Sequence, residues 1–180
     1  MMSLKKKQIP NLLTPRLALR AFIPVDIDSL EPMLSDWETI RYFPRSEPWP
    51  REIVEKWVNH HWQHWQDHGY GWWAVASKQG GQLLGWCGLN ILDETGETEV
   101  LYLLKRAVWG QGLASEAARA SVDYGFREVK LDKIVGLVHP ENFASQRVLE
   151  KCGLTYETKL HMWGMDLLRY IIYATHRQNT

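Results

Sequence analysis

The chain has 180 residues, enough for one domain with a substantial core. Its 21 Lys and Arg balance its 21 Asp and Glu, which argues against broad nucleic-acid binding, and no segment is apolar over the length a membrane span needs. The two cysteines, Cys87 and Cys152, lie far apart without metal-ligand spacing, so reduced thiols and a cytoplasmic location are expected.

Met1 to Asn11 carries Lys5, Lys6 and Lys7, but no apolar run follows. Residues 1–13 are therefore expected to be an N-terminal extension rather than a signal peptide, with one domain over 14–180. Arg16 to Phe22 alternates polar and apolar and reads as a first strand. Pro24 to Asp28 reads as a helix start, continued by Leu30, Met33 and Leu34. Pro44, Pro48 and Pro50 predict a loop. Arg51 to Asp67 carries Ile53, Val54, Trp57, Val58, His61 and Trp65 near one helical face and ends at Gly69 and Gly71. The chain has ten tryptophans, and they crowd the stretch Trp49 to Trp73. Either an aromatic-lined groove or ordinary core packing follows from that. His60, His64 and His68 recur every four residues, a spacing that can bind zinc, but a solvated helix face explains it as well and no metal is expected.

Trp72 to Ser77 and Gln82 to Leu89 read as strands joined at the Gly80-Gly81 turn. A further strand is expected over Thr98 to Leu104 and a long helix from about Gly112 to Glu128. Lys133 to His139 is β-branched and apolar, as in a buried strand. A short helix over Glu141 to Lys151 ends at Gly153. Two strands, Thr155 to His161 and Met165 to Thr175, close the chain. Strands in the middle with helices between and around them predict an α/β or α+β domain with a mixed sheet.

The segment Trp109-Gly110-Gln111-Gly112-Leu113-Ala114-Ser115-Glu116-Ala117, between a strand and a helix, is the strongest functional signal. The first amides of a helix have no internal partner, and the helix dipole favours an anion there. Two glycines let that anion approach the main chain. A phosphorylated ligand follows. The dinucleotide-binding fingerprint fits poorly, because its third glycine is Ser115 and Lys105 to Val108 separate the loop from the strand. No Gly-Lys-Ser/Thr phosphate loop is present.

Three blocks resemble the GNAT superfamily of acyl-CoA-dependent N-acyltransferases. Glu99 to Leu104 followed by the glycine loop is similar to its central strand and pyrophosphate loop. His139-Pro140-Glu141-Asn142 through Gly153-Leu154 is similar to its second block. Thr14-Pro15-Arg16-Leu17-Ala18-Leu19-Arg20 is similar to the opening of the ribosomal-protein N-terminal acetyltransferases of RimJ/RimL type. The resemblance implies a single-domain, mixed and mostly antiparallel sheet with helices on both faces.

It also implies acetyl-CoA as acyl donor, with its pyrophosphate on the backbone of Gln111, Gly112, Leu113, Ala114 and Ser115. Leu103 and Leu104 match the strand along the pantetheine arm, where main-chain amides can polarise the thioester. Glu99 matches the acidic position at the head of that strand and is the expected base, acting through a water, with Glu97 as a second candidate; a salt-bridged surface carboxylate is the alternative for Glu99. Many relatives carry a tyrosine at the position of Leu149 to protonate the thiolate. Ser145 is the expected donor in its place, although it could also cap its helix. Asn142 is expected either on the pantetheine or as that cap. Trp109 stands where the superfamily often has Arg or Gln, which leaves phosphate binding to backbone donors, with Lys105 or Arg106 as helpers.

The activity implied is direct acetyl transfer to a primary amine in a ternary complex. The expected acceptor is the N-terminal α-amine of a protein or peptide. A small amine (aminoglycoside, polyamine or amino acid) is the alternative, and a non-catalytic CoA-binding module would carry the same blocks. A monomer or homodimer is expected, with no membrane and no direct nucleic-acid partner.

Overall fold

The structure is a computed structural model that describes residues 8–44 and 47–177; Lys5, Lys6 and Lys7 lie outside the described residues. Strand β1 (Leu12–Leu13) lies within the stretch expected as an extension and pairs with β2 (Leu17–Arg20). A 3-10 turn at Pro24–Asp26 leads into α1 (Ile27–Ser35), followed by α2 (Trp37–Ile40) and α3 (Arg51–His68). The middle of the chain forms β3 (Trp72–Ser77), β4 (Leu83–Ile91) and β5 (Thr98–Leu104). Helix α4 (Leu113–Tyr124), β6 (Lys133–Val138), α5 (Phe143–Lys151), β7 (Thr155–Met162) and β8 (Met165–Tyr173) complete it.

The eight strands form one sheet in the order β1-β2-β3-β4-β5-β6-β8-β7. Every neighbouring pair is antiparallel except β5 with β6. That one parallel pair follows from the crossover through α4, since parallel neighbours need a long connection. Helix ends follow their local chemistry. Gly69 closes α3 in the left-handed conformation at φ 76°, and the Asn142 side chain accepts from Ser145 N at the start of α5. The helix expected to run to Glu128 instead gives way at Gly125 to a wider π-helical turn, Gly125–Val129.

Both faces of the sheet centre are covered, which is why β3 and β4 are buried almost throughout rather than alternating. On one face Trp73, Val75, Leu89, Val100 and Leu104 pack with Ala117, Val122 and Leu149 of α4 and α5. On the other, Trp72, Ala74, Trp86 and Leu103 pack with Leu30, Leu34 and Val54 of α1 and α3. The tryptophan-rich stretch is core. Trp72 stacks on Trp86 at 4.3 Å and 7°, and Trp57 packs against both at tilted angles of 50° and 56°. His61 stacks on Trp72 at 3.7 Å, and His64 turns inward to bond the Tyr70 carbonyl through Nδ1 at 2.8 Å. The His60, His64 and His68 series is therefore not one solvated face, and no group of three metal-ligating side chains occurs among the described residues. No described helix is long and apolar enough to cross a membrane.

One close backbone approach holds the centre together. A Cβ on Gly88 of β4 would lie 2.3 Å from the Gly71 carbonyl oxygen and 2.5 Å from Trp72 Cα. Gly88→Ala is expected to destabilise the protein by about 1–3 kcal/mol, because backbone rather than a side-chain tip must move. A urea midpoint lowered at unchanged m-value is the expected readout, and an unaltered midpoint contradicts this packing.

Candidate active site

Strands β5 and β6 share a single bridging pair, Glu99 with Val135, and then diverge. The gap between them opens into a cleft of about 470 Å³. Its sides come from β5 and the glycine loop, from His139 to Lys151, and from Tyr42 to Pro44 and the β7–β8 turn at Trp163.

The loop side is built for an anion. Gly112 takes φ 76° and offers no side-chain cap to α4. The first internal bond of that helix runs from Glu116 N to Gly112 O, so Leu113, Ala114 and Ser115 present the unpartnered amides of the first turn. All three line the cleft. Gln111 does not line the cleft, and its carbonyl accepts from Arg16 Nη1 at 2.8 Å. Arg16 also bonds Glu116 Oε2 through Nε at 2.6 Å, while Thr14 Oγ1 and Arg16 N donate to Glu116 Oε1. The Thr14-Pro15-Arg16 block is thereby tied to the glycine loop. Burial would raise the Glu116 carboxyl, but these hydrogen bonds outweigh it and hold it below its ordinary range. Trp109 folds back and donates its indole N–H to the Leu104 carbonyl at 2.6 Å. Arg106 turns away from the loop, toward Asp36 between α1 and α2.

Along β5 the ladder decides which amides are available. Lys105 N bonds Leu84 O, so alternation turns Leu103, Leu101 and Glu99 toward β4 and turns Leu104, Tyr102 and Val100 toward the gap. Of the two expected leucines, Leu104 therefore points its amide at the cleft, whereas Leu103 spends its amide on β4 and its side chain on the tryptophan cluster.

Glu99 is 2 % exposed, and among the described residues no cation pairs with it. Its Oε1 accepts from Leu137 N of β6 at 3.0 Å, so the carboxylate replaces a backbone carbonyl where the ladder breaks. Burial pushes its pKa up to about 8 against that hydrogen bond. Glu97 is different. Its Oε1 meets Arg169 at 2.8 Å and Lys133 as well, and these partners overcome burial to lower its pKa. Arg169 also pairs with Glu157. Glu97 is thus a salt-bridged carboxylate with no call on an incoming proton.

Asn142 is the helix cap, through Oδ1 to Ser145 N at 3.1 Å. Ser145 is not a cap: its hydroxyl lies 2.8 Å from the Tyr102 phenol. Tyr102 was not among the expected site residues, and it too lines the cleft. Cys152 is buried, and burial raises its thiol to about 12, which removes it as a nucleophile. Tyr42 stacks on His139 at 5.0 Å and donates to Glu141 O, closing one end of the cleft.

Residues 16–155 match the family model described as an acetyltransferase (GNAT) domain. The chain is 34% identical to the Bacillus subtilis protein YkkB over 165 residues, 89% of this chain and 94% of that one. The structure superposes on a GNAT-family acetyltransferase from Bacillus anthracis with a TM-score of 0.81 at 26% identity, covering 92% of this chain and 99% of the other. It also shares its fold with spermidine N-acetyltransferase from Vibrio cholerae, solved with CoA and spermine, at a TM-score of 0.74 and 23% identity over 90% and 98% of the two chains.

The raised Glu99 carboxyl makes a stability prediction. Its folded pKa lies above the ordinary 4.5, so its contribution is fully present below about 4.5 and is lost as pH rises through about 8. The Tm of the wild type is expected to fall relative to Glu99→Gln between about pH 5 and about pH 8 and to level off above that. Parallel Tm curves for the two proteins across that range contradict the assignment.

Proposed function

The chain belongs to the acetyltransferase (GNAT) family and is an acetyl-CoA-dependent N-acetyltransferase, and from that premise we propose that its acceptor is a single primary amine of low basicity, the N-terminal α-amine of a peptide or protein. The observation that carries this reading is the buried Glu99 carboxyl with a pKa of about 8. An α-amine has a pKa of about 7.7–8.0, so proton transfer from its ammonium form to Glu99 is nearly thermoneutral. From a lysine-like amine at about 10.4 the same transfer is uphill by about 3 kcal/mol.

The acceptor side supports the same class. Glu99, Leu101, Leu137 and Leu167 line the cleft with Tyr42 and Phe43 on one side and Trp163 on the other. Apart from Glu99 and the Tyr42 hydroxyl these side chains present apolar surface, and the charged residues Glu38 and Arg41 line the same cleft. Three other acids near it have partners: Glu38 with Arg41, Glu94 with the Trp163 indole, and Glu97 with Arg169 and Lys133. A polyamine, as held by the Vibrio cholerae neighbour, or an aminoglycoside needs several uncommitted carboxylates. One amine beside an apolar side chain needs only Glu99.

In this reading acetyl-CoA supplies an acetyl group activated as a thioester. The amides of Gly112, Leu113, Ala114 and Ser115 would hold its diphosphate, and the loop is braced for this by Arg16 and Glu116. Glu99 takes the proton from the bound ammonium, directly or through a water, and frees the lone pair for attack. Leu104 N–H donates to the carbonyl oxygen as charge builds there. Ser145 lies on the opposite side of the gap and faces the leaving sulfur.

Thiol release from acetyl-CoA across a panel of unblocked peptides, N-acetylated peptides, spermine and an aminoglycoside tests the acceptor. Unblocked peptides are expected to exceed the polycations at least about tenfold in kcat/KM, as a 1.4 kcal/mol difference requires. Preference for spermine contradicts the reading. With a peptide acceptor, kcat is expected to rise with pH through about 8, and Glu99→Gln to lower kcat about 100-fold and remove that limb.

A further inference from the structure

The second sequence block lacks a tyrosine: Leu149 occupies its place and is buried in the core. A tyrosine reaches the same helix from the other side of the gap. Tyr102 OH lies 2.8 Å from Ser145 Oγ and 3.0 Å from Ser145 O. The amide of Ser145 donates to Asn142, and among the described residues the partner of the serine hydroxyl is Tyr102. We propose that Tyr102 is a positioning residue that holds the Ser145 hydroxyl as a hydrogen-bond donor toward the leaving sulfur.

The argument is one of donor counting. A phenol has one hydrogen, and a serine hydroxyl has one hydrogen and two lone pairs. If Tyr102 donates to the Ser145 carbonyl, the serine hydrogen is drawn toward the phenol oxygen and away from the cleft. If Tyr102 donates to Oγ, the serine hydrogen is free to point elsewhere. Negative charge developing on sulfur selects the second arrangement, and a hydroxyl already accepting a hydrogen bond is a stronger donor. Burial raises the Tyr102 phenol well above its ordinary pKa, so it keeps its hydrogen throughout the working range.

The inference rests on the proposed placement of Ser145 beside the thioester. The C–N bond forms with the amine lone pair, the C–S bond breaks with its pair on sulfur, and the ammonium proton resides on Glu99. The second nitrogen proton, acidic once the C–N bond has formed, passes to the thiolate or to solvent, leaving the neutral amide and free CoA thiol. No proton leaves Ser145 or Tyr102. They stabilise the thiolate, which with a thiol pKa of about 8.5 is a tolerable leaving group.

Tyr102→Phe removes one oxygen from a side chain that otherwise keeps its packing. It is expected to lower kcat about tenfold, the size of one hydrogen bond, with KM for acetyl-CoA unchanged within about twofold. Ser145→Ala is expected to lower kcat at least as much, and Tyr102→Phe to add nothing in the Ser145→Ala background. If Tyr102→Phe leaves kcat unchanged, or lowers it equally with and without Ser145, the inference is overturned while Ser145 retains its role. If Ser145→Ala itself leaves kcat unchanged, the placement of Ser145 is wrong and the inference falls with it.

Discussion

Two parallel strands that meet at one residue pair and then part create the site. Until Glu99 meets Val135 the sheet is continuous, and beyond it the amides of Tyr102 and Leu104 have no strand to pair with. Backbone donors left open inside a protein are costly unless a ligand or water satisfies them. The gap is held open by commitments on both sides. Glu99 meets the Leu137 amide in place of a main-chain carbonyl, and Trp109 takes the Leu104 carbonyl. In the proposed reading the same carboxyl that ends the ladder is the one a substrate amine encounters, and its burial in that position raises its affinity for a proton.

The anion loop depends on contacts made far from it in sequence. Glu116 gathers Thr14 and Arg16, and Arg16 reaches on to the Gln111 carbonyl. The connection between β1 and β2 is thus fastened to the mouth of α4. In the proposed reading a loop fixed in this way need not be ordered when diphosphate arrives, so less entropy is lost on binding. Its positive end comes from aligned amides rather than from Lys105 or Arg106, in keeping with a tryptophan at the head of the loop.

Much of this was legible in the chain. Left-handed glycines, helix caps and the loop between strand and helix are local features, and Gly69, Gly112 and Asn142 stand where local chemistry puts them. Short elements were not legible: β1 spans two residues and α2 four, too few for any periodicity. Partnerships across the sheet were hidden as well. Glu97 and Glu99 are the same residue type two positions apart, yet one meets two cations and the other a backbone amide. Only the placement of β6 and β8 separates them. Tyr102 and Ser145 are 43 residues apart and belong to different blocks, so neither block alone shows the pair. The helical histidines show the opposite error, in that a regular spacing suggested one face while packing turned His64 inward.

The central claim is that the parting of β5 and β6 admits the thioester while the mouth of α4 holds the diphosphate. A crystal structure of the protein with CoA tests it most directly. The diphosphate is expected within hydrogen-bond distance of the Leu113, Ala114 and Ser115 amides, with the thiol in the gap between Glu99 and Ser145. A diphosphate bound elsewhere, or a pantetheine arm that does not enter the gap, contradicts the account.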